Sequence, residues 1–195
     1  MKINNKIFGI LFLICINSFI NAQSKSNFEI VDSLIKDSVD DIVKILDKKD
    51  KYYVNFTAPN EYSTLKMNII ESLQRNNLVI SDNELNPKIN YKLEQITLHY
   101  SDVFRDGLFG SFLVNRYVKL MGISKIGDEG KTNRFEYSIS DTVLYSDISQ
   151  LENIAYSFTS SEIPDEPFFS SAFEPAIVLG STAIAVYLFF NIRGE

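Results

Sequence analysis

Between Pro175 and Arg193 the chain carries no charged side chain. No other feature limits the fold as strongly, because a run this apolar must be covered by protein or by lipid. Ala176 to Phe190 reads Ala-Ile-Val-Leu-Gly-Ser-Thr-Ala-Ile-Ala-Val-Tyr-Leu-Phe-Phe, and Asn191-Ile192 extend it. As a helix, residues 176–192 would reach about 25 Å, near the lower limit for crossing a bilayer. Pro175 suits the first helical turn. Tyr187 suits an interface, and Arg193 suits the headgroups. The pattern predicts one C-terminal transmembrane helix over 176–192 with a cytoplasmic tail, 193–195. The competing reading is a buried core helix of a globular protein. Ser181 and Ala185 form a small-residue pair that would permit helix–helix contact, though such pairs are common in apolar helices.

The other end carries an address. Lys2 and Lys6 precede an apolar core from Ile7 to Ile20, and Asn21-Ala22 then offer a cleavage site. This order predicts a signal peptide over 1–22. An uncleaved signal anchor is the rival. Cys15, the only cysteine, follows Ile14 inside the apolar run, which disfavours lipidation there. Without the signal the chain has no cysteine, so disulfides and thiolate chemistry go together. A small-residue and apolar-tail pattern from Ser160 onward, with the acceptor triplet Asn55-Phe56-Thr57, gives a weaker eukaryotic lipid-anchor reading. The charged end at Arg193 and Glu195 speaks against it. Signal and span together predict a bacterial cell-envelope protein, single-pass in the inner membrane, with its domain periplasmic and its C-terminus cytoplasmic.

Taking away 1–22, whose only charges are Lys2 and Lys6, leaves 17 bases against 25 acids, a net charge of −8. Such a field repels nucleic acid. Fifteen Phe and ten Tyr provide core material for a domain over 23–156,.

The order of elements follows from periodicity. Phe28, Val31, Leu34, Ile35, Val39, Ile42, Val43, Ile45 and Leu46 follow helical spacing over residues 28–46, with aspartates and lysines on the other side. Residues 51–56 have strand composition. Ala58-Pro59-Asn60 break the chain before a helix over 61–76, and Leu78-Val79-Ile80 make a short strand. Ile89, Tyr91 and Leu93 alternate, and Ile96, Leu98 and Tyr100 alternate in the opposite phase, so a bulge is expected near Glu94-Gln95. Residues 112–123 are apolar on both faces, as in a central strand, and Phe135, Tyr137 and Ile139 alternate again. Gly127-Asp128-Glu129-Gly130 is turn material. A last helix is expected over 147–156, then a linker over 157–175 that carries Phe168, Phe169 and Phe173. The fold class is α+β: an N-terminal helix, then β-α-β and an antiparallel meander forming one small sheet with helices packed on one face, plus the C-terminal transmembrane helix.

Few motifs suggest chemistry. Gly130-Lys131-Thr132 lacks the earlier glycine of a phosphate loop and reads as a hairpin turn. His99 is the only histidine and falls on the less apolar side of its strand,. The pairs Asp40-Asp41, Asp128-Glu129 and Asp165-Glu166 read as surface charge. No enzyme activity, cofactor or metal is expected. The loop 101–110 places aromatics beside an arginine, as binding hot spots do. Phe104, Arg105, Leu108, Phe109 and Arg116 are therefore the candidate partner-binding residues; a loop folded back on the core would use the same side chains. The expected role is a membrane-tethered interaction or assembly module, with membrane lipid through 176–192 and another envelope protein as partners. The alternative is a periplasmic ligand-binding or sensing domain. An envelope hydrolase comes last.

Overall fold

The computed structural model describes residues 24–48, 50–107, 110–166 and 169–192, with the side chains of 169–175 and 192 left aside. The expected signal peptide over 1–22, the tail 193–195, Leu108, Phe109, and the side chains of Phe168, Phe169 and Phe173 lie outside the described residues.

Helix α1, Asn27–Val43, starts where Ser26 can cap it. The Ser26 hydroxyl accepts from the Glu29 amide, and the Glu29 carboxylate accepts from the Ser26 amide at 2.7 Å, a closed capping box,. Its apolar stripe, Ile30, Val31, Leu34, Ile35, Val39 and Ile42, is buried against the sheet. Strand β1, Lys51–Thr57, alternates outward and inward. A 3-10 turn, Asn60–Leu65, leads into α2, Lys66–Arg75, so the helix expected over 61–76 is split. Asn77 ends it in the left-handed region, φ 65°, and feeds β2, Val79–Ile80,. Strands β3, Lys88–Arg105, β4, Phe112–Ile126, and β5, Thr132–Leu144, follow. Gly127, φ 67°, takes the backbone round between the last two,. A 3-10 turn, Tyr145–Asp147, leads to α3, Ile148–Leu151, where a longer helix was expected, and another turn spans Ser157–Thr159.

The sheet order is β2-β1-β3-β4-β5. The meander β3-β4-β5 is antiparallel, but β1 pairs in parallel with both β2 and β3. The sheet is therefore mixed. Its class is α+β, with helices on one face. Strand β3 bulges twice, between Leu93 and Gln95 and between Ser101 and Phe104. The first bulge is where the alternation of apolar residues slips.

Beneath α1 and α2 lies the larger core, with Leu65, Ile69, Leu73, Ile89, Leu93 and Leu120 fully buried. The Tyr91 phenol meets the Ser38 hydroxyl at 2.7 Å in its interior. Burial pushes the Tyr91 pKa up, so the phenol stays protonated,. Phe158, beyond the expected domain end at 156, packs with Phe28, Tyr62 and Tyr156 in this core. A smaller cluster, Tyr100, Val114, Val143, Ile148 and Leu151, closes the far end of the sheet.

The expected transmembrane helix has to be corrected. Helix α4, Phe169–Ile192, does form. Yet among the described residues no helix is long and apolar enough to cross a membrane. The uncharged part of α4, residues 176–192, is 17 residues long, at the lower limit for a span,. Gly180, Ser181, Thr182 and Asn191 dilute it further. The single-pass inner-membrane topology, the cytoplasmic C-terminus and lipid contact through 176–192 all rested on that span and fall with it.

Candidate binding groove

The site grows out of strand alternation. In β4 the side chains of Val114, Arg116, Val118 and Leu120 turn toward the helices and are buried. Leu113, Asn115, Tyr117 and Lys119 turn to the other, open face. Leu113 stands opposite Phe104 on β3 and Leu144 on β5. Directly opposed residues share a face. The three therefore form an apolar row across the end of the open face, with Phe104 41% and Leu144 37% exposed.

At the β5 end of this row the surface sinks into a groove of about 700 Å³. Leu113, Leu144 and Leu151 supply its apolar part. Lys25, Ser26 and Glu29, at the entrance to α1, line one wall; Asp147 and Gln150, on the turn and helix after β5, line another. The cavity is amphiphilic, with carbon at the base and both signs of charge at the rim. The α1 N-terminus offers it no free anion site, since the capping box already uses those amides. Hydrogen bonding, first to the Ser26 amide and then to its hydroxyl, holds the Glu29 carboxyl below the usual range, and Lys25 adds to this,.

Under the groove sits a polar clasp. Arg116 is fully buried. Its Nε and Nη2 donate to the two oxygens of Asp141 at 2.9 and 2.6 Å, a bidentate pair,. Nη1 donates to the Lys25 carbonyl and to Asn27 Oδ1, each at 2.8 Å. Asn27 Nδ2 in turn donates to the Tyr100 hydroxyl at 2.8 Å and the Thr159 carbonyl at 2.7 Å. The segment entering α1 and the segment leaving the last 3-10 turn are thus fastened to one arginine.

These positions sort the candidate residues named from sequence. Phe104 is exposed and belongs to the apolar row. Arg105 lies over the Phe112 ring, 4.5 Å from its centroid, at the same end of the sheet,. Arg116 is a core residue, out of reach of any partner. Leu113, Leu144, Lys25 and Gln150 were not singled out, although the apolar outer position of Leu113 was visible in the alternation of β4. His99 is exposed on β3. Among the described residues no group of three His, Cys, Asp or Glu is placed to hold a metal ion.

The capping box gives a pH prediction. Glu29 has a folded pKa below its unfolded value, so its stabilisation is present above the unfolded pKa of about 4.3 and is lost as pH falls through the folded value,. Glu29 is exposed, so screening keeps the effect small,. Glu29→Gln should cost about 0.5 kcal/mol at pH 7 and nothing in strong acid. Urea unfolding of both forms at pH 7 and pH 2.5 checks this; an equal loss at both would show that the carboxylate charge is not involved.

No protein-family model matches the chain, and no curated protein does. Among solved structures the chain is similar to rare lipoprotein B from Shewanella oneidensis, at 14% identity and a TM-score of 0.35, covering 69% of this chain and 86% of that one. A minor lipoprotein from Acinetobacter baumannii is similar at 13% identity and a TM-score of 0.33, covering 49% of this chain and 66% of that one. Likenesses this distant assign neither activity nor partner.

Proposed function

We propose that the chain is a binding domain of the bacterial cell envelope, working by recognition and not by catalysis, and that its ligand seats in the groove at the end of β4 and β5. The groove itself carries this reading. It is the place where apolar side chains, left on an open sheet face, meet a rim of both charges,. An amphiphilic ligand group would lay its apolar part on Leu113 and Leu144 and present its polar part to Lys25, Asp147 or Gln150. The exported location is supported by Lys2, Lys6 and the apolar run to Ile20,. An assembly role through the loop 101–110 alone is less well supported, because Arg116 is withdrawn into the core and Arg105 is occupied by Phe112. Phe104 remains available and extends the groove's apolar row.

The test uses the purified full chain and a naphthyl fluorophore as an apolar probe. Binding should raise its emission and stabilise the fold. Leu144→Asp puts a charge on the apolar base at a half-exposed position, so it should weaken probe binding by about tenfold while leaving the unfolding midpoint nearly unchanged. Equal binding by both forms would dismiss the groove.

A further inference from the structure

Strand β5 is the last in the sheet, and among the described residues no strand and no backbone hydrogen bond occupies its outer edge. Edges of this kind are normally blunted by shortness, lysine, proline or a bulge, because their unpaired amides and carbonyls recruit other strands. Strand β5 lacks all four; its charged side chains are Arg134, Glu136 and Asp141, the last turned inward to Arg116. The strand runs 13 residues, Thr132–Leu144, contains no lysine or proline, and keeps register with β4 without a shift. Both bulges fall in β3, a central strand that has no edge to protect.

What hangs over this edge is acidic. Glu29, Ser33, Asp37 and Asp41 step by four along one flank of α1,. The Tyr137 phenol, rising from the helix side of β5, donates to Asp41, and Asp37 lies close enough to act on the same phenol. Glu29 lines the groove beside Thr142 and Leu144. The carboxylates therefore run above β5 from its middle to its end. Two bases stand beside them: Lys44, just past the end of α1, pairs with Asp41 at 2.6 Å, and Lys25, just before its start, acts on Glu29. Of the remaining aspartates of that helix, Asp32 meets Asn68 on α2, and Asp40, which also acts on the Tyr137 phenol, meets Asn76 just past the end of α2.

We infer that the β5 edge is a strand-addition site for an extended segment of another protein, one that carries lysine or arginine at alternate positions on its helix-facing side and ends with an apolar side chain in the groove. Backbone pairing would supply affinity, and the acidic flank would select the sequence. A second copy of this chain fits poorly. Two joined β5 edges would lie about 4.8 Å apart and would bring two acidic α1 flanks against each other, which opposes the pairing.

This inference rests on the groove reading, and the experiment separates the two. The probe is a ten-residue peptide alternating lysine and valine and ending in leucine, added to the full chain. Hydrogen exchange of alternate β5 amides should slow by about tenfold. A peptide N-methylated on alternate residues, and one with glutamate for lysine, should give no protection. Asp37→Asn with Asp41→Asn should weaken binding by about tenfold. Protection that is absent, or equal for the N-methylated peptide, overturns strand addition even where the naphthyl probe still finds the groove. Equal binding of the glutamate peptide overturns the acidic selection. Protection of β5 in the chain alone, rising with its concentration, would make a second copy the occupant and overturn the inference as stated.

Discussion

Replacing Asp141 with alanine should remove about 3–5 kcal/mol of stability, the largest loss expected from any single polar side chain in the domain. Its partner sets the size. Arg116 is fully buried, whereas the Asp141 side chain keeps 37% of its surface in water. Deleting the acid strands a guanidinium that cannot deprotonate and has lost both carboxylate oxygens,. Two neutral acceptors remain, the Lys25 carbonyl and Asn27 Oδ1. Arg116→Met should cost less, about 1–3 kcal/mol, because it removes the buried charge and leaves an aspartate that water can reach. The order of the two variants is the test. Urea unfolding of the full chain with equal losses, or with a larger loss for Arg116→Met, would show that the cost lies in packing and not in an uncompensated charge.

Gly122→Val should cost about 3 kcal/mol, the upper end of the range for overpacking. Gly122 sits in β4 between Leu93 and Phe135. A Cβ there would come within 2.4 Å of Phe135 Cζ and 2.6 Å of the Lys92 carbonyl. The ring cannot simply give way, because it is itself held, 5.2 Å from the Tyr91 ring and 6.0 Å from Tyr137. The carbonyl belongs to the strand ladder next to the first bulge and has no freedom to retreat. Phe135→Leu on top of Gly122→Val should recover part of the loss, the part due to the ring. A double variant no more stable than Gly122→Val alone would place the whole cost on the Lys92 carbonyl. A midpoint for Gly122→Val equal to that of the parent would show that β4 and β3 can part there freely.

Much of this architecture could be read in advance where local pattern decides it. The apolar stripe of α1, spaced three and four residues apart, announces that helix, whereas its Ser26/Glu29 capping box emerges only in the fold. The phase slip at Glu94-Gln95 announces the bulge, because alternation can reverse within a strand only where a residue is inserted. Strand pairing is less local. Nothing in Lys51–Thr57 says that it lies between β2 and β3, parallel to both; that follows from the crossover through α2 and from the competition for the edge of β3. Arg116 shows the limit most clearly. It follows an aromatic loop in sequence, so it looks like a contact residue, but its acid partner is 25 residues away and is brought opposite it only by the β4–β5 register. The groove is hidden for a related reason. Its walls come from residues 24–29, 113, 142–144 and 147–151, four separate stretches that the sheet gathers at one corner. For the C-terminal run, uncharged composition suggested a membrane crossing; the shortness of the uncharged run and the polar residues within it weigh the other way.

The clasp has a mechanical side. Lys25 and Thr159 hand their carbonyls to the same Arg116–Asn27 knot near the start of β4, so tension from upstream arrives there directly, while tension from downstream meets the Tyr145–Pro164 and Glu152–Ser161 bonds first. Tension from either direction would be spread along the β3–β4–β5 ladders as shear, and α1 would not be peeled away turn by turn. The two leads also depart from a common corner, which leaves the opposite end of the sheet, with β2 and the Gly127 hairpin, pointing away from whatever those leads are made fast to.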